Sequence, residues 1–542
     1  MAERTGSREV SRVGRNESPP ALRGWTLAVF LFFVHRVAWA EPALTPEPQE
    51  SSSVLDPVRA VFDSEPRAAL LLVSPLLQDP SALTPRDRVE ALALAARALE
   101  RLGLPVLGLL HWQQVLLSGN GPWVPEAFHR AAWLATEVKT EAPLLVTIAR
   151  IDPALLEDPM DREHAFYLKG VGLDADDELS EAVAALSQVS KTHPDHVRAR
   201  LLMATVLTRM RQRPVAIAIL EDLLQDAPPP PSLPPDMIPL VQLTLARALY
   251  GAGRVDEAIS IYEAFPRHSR EWLEVQVELA WAYYRRYAEQ DHWPSLGKAL
   301  GTVHTLNSPF FADWYLPEPA LLEAQFLYHL CRFVEGGRVV TDFLDRYTTL
   351  RDQLREALSG ELNRPGSLLE LVQAYRAAVR GEGALPETGV PGPILRRQRN
   401  RPSLDELEAH LRLISRERVA LETLFGSQAG PAFERLDGLL DSHEQAIRAA
   451  YDRSLRGEFQ QTLWDLNQLL RQAQLVRLSM TSAEKNLYEA AAAGRLPMMS
   501  PSRKHWKRRW PVKNRQVWPF EGEYWVDELG YYESRAVPVC PE

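Results

Sequence analysis

The middle of the chain repeats a pattern of small and large residues at an interval of 34 positions. Two copies share the same order of residue types and both end in a proline: Gly170, Leu173, Ala182, Leu186, Val189 and Pro194, then Ala204, Leu207, Ala216, Leu220, Leu223 and Pro228. A fixed period of about 20–50 residues indicates one structural unit that is repeated along the chain. The period therefore restricts the fold more than any other feature does.

Three more stretches carry the pattern at irregular intervals. One follows at an offset of 42 positions, and its eight additional residues fit an insertion around the proline run at 228–235: Ala246, Leu249, Ala258, Tyr262 and Phe265. Two weaker copies are Ala96, Leu99, Gly108, Trp112 and Val115, and Ala324, Leu327, Gly336, Val340 and Phe343.

In each copy the spacing places the first two residues on one helix and the next three on a second helix. Small residues let the two helices approach closely, and the terminal proline ends the second helix because it cannot continue the hydrogen-bond ladder. No copy can bury its own apolar face alone, so the copies must stack. The sequence therefore predicts an all-α fold, with an α-solenoid of helical hairpins over residues 54–380.

These residues resemble the tetratricopeptide repeat (TPR) family, whose signature is small, leucine, small, aromatic and proline at this spacing. The segment 246–262 (ARALYGAGRVDEAISIY) is similar to the family pattern, whereas Phe166 and Arg200 replace the signature tryptophan of the first helix in two copies. The resemblance covers roughly residues 86–350. It implies a TPR-like solenoid whose groove binds peptides or helices of other proteins.

Residues 1–40 carry the three parts of a secretory signal. Five arginines precede an apolar run at 25–34, and Ala38-Trp39-Ala40 matches the motif before a cleavage site. The run is short against the roughly 20 apolar residues that span a bilayer, which favours a cleaved signal over a retained anchor. We expect an exported chain, periplasmic in a Gram-negative host and soluble after cleavage, with a flexible spacer at 41–53.

Two segments of different composition follow the repeats. Residues 381–402 are rich in glycine, proline and arginine, which predicts a linker. Residues 403–495 carry three amphipathic runs separated by Gly426 and Gly457. These runs fit a coiled coil or a helical bundle, and their shortness favours the bundle.

Residues 496–542 form a basic and aromatic tail. Its basic cluster includes Trp506, Lys507, Arg508, Arg509 and Trp510, and aromatic and acidic residues follow at 517–532. So many large side chains need a burial partner, since each buries on the order of 150–250 Å². Two interpretations stay open: the tail folds back and caps the helical segment, or it binds an anionic glycan, a phospholipid surface or an acidic protein.

A second set of candidate binding residues lies within the repeats. Aromatic residues concentrate at 272–315, and Trp281, Tyr284, Arg285 and Arg286 bring together the residue types that dominate binding hot spots. They form the predicted protein-binding surface. The alternative is that these side chains pack in the core of the solenoid.

No motif for catalysis, metal binding or cofactor binding stands out. The sequence lacks metalloprotease, nucleotide-binding and nucleophile-elbow motifs, and its two cysteines, Cys331 and Cys540, exclude a cysteine-only zinc site. Whether these cysteines pair stays open. We expect no enzyme activity and no cofactor, and the net charge of −10 argues against nucleic acid as a partner.

Together these features predict an exported, non-enzymatic TPR scaffold that binds partner proteins in a cell-envelope complex. The alternative is a protein that binds peptidoglycan, another glycan or an anionic surface through its tail. The order of signal, irregular repeats, helical segment and tail also resembles the layout of envelope TPR proteins from predatory or gliding myxobacteria.

Overall fold

A computed structural model describes residues 53–79, 81, 83–119, 121–225, 234, 237–425, 430–493 and 523–534. Across these residues the regular structure is helical, with no strand. The contacts divide the chain into two compact units. The first unit takes its described residues from 25–235 and 401–450, and the second takes them from 236–400 and 451–542.

Consecutive helices from the N-terminal half form most of the first unit. They are α1 (Asp56–Phe62), α2 (Pro66–Gln78), α3 (Pro85–Arg101), α4 (Pro105–Leu117), α5 (Val124–Val138), α6 (Ala142–Ile148), α7 (Pro159–Ala175), α8 (Leu179–Leu186), α9 (His196–Arg209) and α10 (Arg213–Gln225).

The second unit begins with eight further helices. They are α11 (Ile238–Gly251), α12 (Val255–Glu263), α13 (Trp272–Gln290), α14 (Trp293–Leu306), α15 (Glu318–His329), α16 (Phe333–Ser359), α17 (Ser367–Val379) and α18 (Gly392–Arg396). Two long helices follow, α19 (Pro402–Phe425) and α20 (Pro431–Ala492). The contacts assign α19 and the start of α20 to the first unit, and the rest of α20, from Tyr451 onward, to the second.

The five repeat copies share one turn between their two helices. In each, the leucine of the pattern accepts a backbone hydrogen bond from the residue five positions later, and the residue just before that donor has a positive φ that closes the turn. The donor and acceptor pairs are Leu104–Leu99, Glu178–Leu173, Gln212–Leu207, Arg254–Leu249 and Arg332–Leu327. The recurrence confirms that the pattern marks helical hairpins.

Positive φ angles recur at the residue just before the donor in these turns. Glycine fills this position at Gly103 and Gly253, whereas Asp177, Arg211 and Cys331 adopt the left-handed conformation at φ 64, 63 and 57°. Because a side chain makes this conformation less favourable, the turn geometry is set by the repeat rather than by the local residue.

The small residues of the pattern allow close helix packing. A methyl group on Gly170 of α7 would lie 2.5 Å from the Leu186 side chain of α8. The repeated leucines and aromatic residues, such as Leu186, Leu220 and Tyr262, are buried. Each unit is thus a stack of helical hairpins, and the predicted all-α solenoid fold is confirmed.

The C-terminal helical segment differs from the sequence prediction at one point. The second and third amphipathic runs lie on the single helix α20, which continues through Gly457, so the predicted interruption there was wrong. A glycine inside a helix costs roughly 1 kcal/mol relative to alanine. Burial of Leu455 and Phe459 on either side of Gly457 offsets that cost.

The stretch 381–402, which the composition predicts to be a linker, carries ordered structure. Helix α18 lies inside it and buries Ile394 and Leu395. Arg376 of α17 donates hydrogen bonds to the backbone oxygens of Gln398 and Arg399, at 3.0 and 2.9 Å. The division into two compact units does not test the predicted domain boundaries, which stay predictions.

Among the described residues, none of the helices combines the length and the apolar character that crossing a membrane would require. The predicted signal segment and the spacer up to Ser52 lie outside the described residues.

Candidate functional site

The predicted protein-binding residues Trp281, Tyr284, Arg285 and Arg286 all lie on helix α13. All four side chains are half-buried. The three- and four-residue spacing of helical neighbours puts Trp281 beside Tyr284 and Arg285, while Arg286 points away from this group. The structure therefore divides the four residues between different neighbouring helices.

Tyr284 is the centre of a group of rings on α13 and α15. Its ring centroid lies 5.2 Å from that of Phe326, 5.5 Å from that of His329 and 6.2 Å from that of Trp281. Tyr287 extends the group, with its ring 5.0 Å from Trp293 and 6.1 Å from His329. We call Trp281, Tyr284, Tyr287, Trp293 and His329 the aromatic cluster.

The aromatic cluster offers polar atoms at its surface. Tyr284 Oη and His329 Nε2 lie 2.6 Å apart in a hydrogen bond, and His329 is exposed. Burial raises the pKa of Tyr284 to about 12, and the rings that pack around the imidazole of His329 partly remove it from water and lower its pKa, although the residue keeps an exposed edge. Both groups are therefore neutral near pH 7, and the cluster combines apolar ring surface with uncharged hydrogen-bonding groups.

Arg285 and Arg286 make their contacts within the repeats. Arg285 donates to the Tyr250 backbone oxygen at 2.6 Å, and its guanidinium lies 4.9 Å from the Tyr250 ring centroid. Arg286 donates to Ser295 Oγ at 2.6 Å and to Asp256 Oδ1 at 3.2 Å. These bonds tie α13 to its neighbours, so both arginines have a structural role that the sequence did not indicate.

Four other aromatic residues of the 272–315 region lie either in the core or at the surface. Trp272 and Tyr283 are buried, and Tyr283 donates a hydrogen bond to Glu263. Phe310 and Trp314 are exposed in the loop between α14 and α15. The sequence interpretation in which these residues pack in the core holds for the first pair only.

The predicted tail residues Trp506, Lys507, Arg508, Arg509 and Trp510 lie outside the described residues. The structure describes a later part of the tail, residues 523–534, and its contacts include helices α13 and α14. The tail therefore folds back, as one interpretation expected, but this part of it lies on repeat helices.

Sequence reasoning missed the residues that receive this part of the tail. Gly297 and Gly301 lie one turn apart on α14, and the tail backbone passes directly over both. Two glycines at this spacing in a helix are a signal for close backbone approach, which the repeat pattern obscured. Arg267 and His304, which also contact the tail, carry no comparable signal.

One group of side chains among the described residues could offer metal ligands. Ligand atoms of His129, Asp158 and Asp161 all lie within 4.8 Å of one another. His129 Nδ1 lies 3.0 Å from both oxygens of Asp161, and Asp158 caps α7 by accepting a hydrogen bond from the Met160 amide. Because the N-terminus of α7 carries positive potential, this geometry favours an ion pair and a helix cap over a bound cation.

Comparison with known proteins adds one match. No curated protein matches the chain. Residues 175–233, which span the hairpin turn at Asp177 and the next repeat copy, match the tetratricopeptide repeat family. The match supports a TPR protein.

Proposed function

We propose that this chain is an exported, non-enzymatic TPR scaffold that binds partner proteins in a cell-envelope complex. TPR repeats generally mediate protein–protein interaction, which supports the scaffold role. The signal-like segment at 1–40 supports export. The observation that carries the binding role is the aromatic cluster on α13–α15.

The aromatic cluster has the composition of a binding hot spot. Tyrosine and tryptophan bury large area on binding and still offer a polar atom, which is why they are enriched at interfaces. Tyr284 and His329 already hold each other through their hydrogen bond, so a partner would meet a preorganised surface. Preorganisation lowers the entropic cost of ordering these side chains when a partner binds.

The test starts from site-specific photo-crosslinking at Tyr287 in the host envelope, followed by identification of the crosslinked protein. The affinity of that protein is then measured for the wild type and for the double variant Tyr284→Ala with His329→Ala. We expect at least a tenfold loss of affinity in the double variant. Thermal unfolding of both proteins separates loss of the surface from loss of the fold.

The matched control is Tyr488→Ala, which removes an exposed tyrosine from α20. It should leave the affinity unchanged. Equal affinity of the wild type and the double variant would reject the aromatic cluster as the binding surface. Charge reversal at Arg285 and Arg286 is a weaker test, because both residues hold neighbouring helices together.

Export has a separate test. Fractionation of the host cell should recover the chain from the envelope compartment, and N-terminal sequencing should find Glu41 as its first residue. A chain that keeps Met1 in the cytoplasmic fraction would contradict export. Binding to an anionic glycan or membrane surface through Lys507, Arg508 and Arg509 remains the alternative, and neutralising these residues tests it by pelleting.

A further inference from the structure

Residues 523–534, which we call the strap, lie on helices α13 and α14 and on the loop before α13. Three of their six large apolar or aromatic side chains are exposed: Trp525 is 60% exposed, Val526 62% and Tyr531 64%, whereas Leu529 is buried. The strap is therefore held by more than apolar burial.

The backbone of the strap rests on two glycines of α14. A methyl group on Gly301 would overlap the carbonyl oxygen of Tyr532, and one on Gly297 would lie 2.6 Å from the carbonyl oxygen of Ser534. The Ser534 amide donates to the Gly297 backbone oxygen at 2.9 Å. Any residue larger than glycine at 301 would prevent this approach.

Three further polar contacts recognise the strap mainly through its backbone. Arg267 donates to the carbonyl oxygens of Val526 and Asp527, both at 3.1 Å. The Gly530 amide donates to Thr305 Oγ1 at 3.0 Å. Main-chain contacts of this kind can accept other extended peptides, because every peptide presents the same backbone groups.

Ring contacts add side-chain selectivity. The His304 ring stacks on Tyr524 at 4.5 Å between centroids, and Tyr532 meets it edge-on at 4.9 Å. Two tyrosines eight positions apart thus enclose one histidine of α14. A ligand of this surface needs aromatic residues at this spacing.

The surface also keeps a hydrogen-bonding group that the strap does not use. Gln276 is buried on α13, its Oε1 has no hydrogen-bond partner, and it points toward Gly530, whose added methyl group would lie 3.8 Å away. A buried acceptor without a hydrogen bond lowers the stability of the docked state. A ligand that donates to this oxygen would make one hydrogen bond that the strap does not make.

We propose that the surface formed by Arg267, Gln276, Gly297, Gly301 and His304 is a binding site for an extended peptide with two spaced tyrosines, and that the strap occupies it as an exchangeable intramolecular ligand. A partner protein that carries such a segment binds here by displacing the strap. The strap thereby controls access to the site. This inference does not rest on the aromatic cluster.

The experiment uses the full chain and a fluorescein-labelled synthetic peptide of residues 523–534, followed by fluorescence anisotropy. The chain's own strap is weakened by Leu529→Asp with Tyr532→Ala, which changes the strap and leaves the helices intact. We expect this variant to bind the peptide at least tenfold more tightly than the wild type does. Adding Gly301→Ala to this variant should abolish the gain in affinity, because the new methyl group occupies the place that the peptide backbone would take.

The controls separate blocking from misfolding. Gly301→Ala favours the helical state of α14, since alanine is a better helix former than glycine. Gly337→Ala in α16 makes the same change where the added methyl group meets no neighbour within 4 Å, so it should leave peptide binding unchanged. Equal peptide binding by the wild type and the weakened-strap variant, or undiminished binding after Gly301→Ala, would overturn the proposal.

Discussion

The carboxylate of Glu417 caps helix α4 from a position 311 residues later in the chain: its Oε1 lies 2.5 Å from the Val106 amide nitrogen. The second oxygen accepts from the Leu107 amide at 3.1 Å. The first amides of a helix have no partner within the helix, and an acceptor at this end also meets the positive end of the helix dipole. The contact joins α19 to the repeat hairpins of the first unit.

Glu417 should make the chain more stable in mildly acidic solution. Burial raises the pKa of Glu417 to about 7, and burial also raises the pKa of Glu406 and of Glu318 to about 7. The folded state then holds these protons more tightly than the unfolded state, whose glutamates have a pKa near 4.5. Stability is therefore highest below about pH 4.5 for these groups and falls as the pH rises toward 7.

The measurement is the urea midpoint between pH 5 and 8 for the wild type, Glu417→Gln and Glu417→Leu. The glutamine keeps an acceptor for the α4 amides and should reduce the pH slope, whereas the leucine should also lower the midpoint at every pH. An unchanged slope in Glu417→Gln would show that Glu417 does not titrate in this range.

Asp195 should be among the most sensitive positions in the first unit. It is fully buried, accepts from Arg198 at 2.8 Å and lies 2.7 Å from His164 Nδ1. Removing one member of a buried charged group leaves the others without compensation, which costs about 3–5 kcal/mol. Asp195→Ala should therefore lower the free energy of unfolding by that order, as measured by urea unfolding.

The control for Asp195 is Asp222→Ala, which removes an exposed acid that pairs with Lys191. Exposed pairs contribute little, so this change should have a small effect. Acid titration gives a second readout, because Arg198 and His164 lower the pKa of Asp195 despite its burial. Its contribution persists above the unfolded pKa of 3.8 and is lost as the pH falls through the lower folded value.

Two glycines of α7 provide a matched pair for the repeat pattern. Gly170→Ala should destabilise the hairpin by about 1–3 kcal/mol, because the added methyl group overlaps Leu186. Gly172→Ala meets only Ile148 at 3.9 Å and should stabilise the helix by roughly 0.5 kcal/mol. Circular dichroism during urea unfolding measures both, and equal effects of the two substitutions would contradict the small-residue role of Gly170.

Cys331 is disulfide-bonded, and the sequence has one other cysteine, Cys540, which lies outside the described residues. We expect peptide mapping without reductant to find the pair 331–540 within one chain. At most about 20 Å of extended chain separates residue 540 from Ser534, so the bond would restrain the strap. Reduction should therefore increase hydrogen exchange at the Gly530 and Ser534 amides.

Cys331→Gly is the suitable variant for this comparison. Cys331 has φ 57° in the turn where two other copies have glycine, so glycine removes the disulfide and relaxes the turn. In oxidising buffer, hydrogen exchange at the Gly530 and Ser534 amides of this variant should match that of the reduced wild type. A disulfide-linked dimer on a gel without reductant would rule out pairing within the chain.

The hairpins could be predicted from the sequence because their determinants are local. Small residues such as Gly170, and leucines such as Leu173 and Leu186, lie within one 34-residue copy, and the helical period alone places them on facing helices. The positions of α3–α4, α7–α8 and the later hairpins follow from that spacing.

The long-range contacts could not be predicted in the same way. No local pattern marks Glu417 as the cap of α4, or Asp452 as the acceptor for the Leu368 and Leu369 amides of α17. The predicted break in the helix at Gly457 was wrong, because the apolar face of α20 continues on both sides of this glycine. The candidate site was predicted in part: the rings of Trp281 and Tyr284 do meet, but the bonds of Arg285 and Arg286 depend on neighbouring repeats.

Met480 of α20 fills the crevice beside Gly336, between the two helices of the fifth repeat copy, where a methyl group on the glycine would overlap its side chain. Repeat proteins need terminal elements that cover the apolar surface of their last units. Here the covering group belongs to the same polypeptide, so a second copy that approached this crevice would first have to expel Met480. The fifth repeat copy is therefore covered by a side chain from a helix that lies outside the repeats.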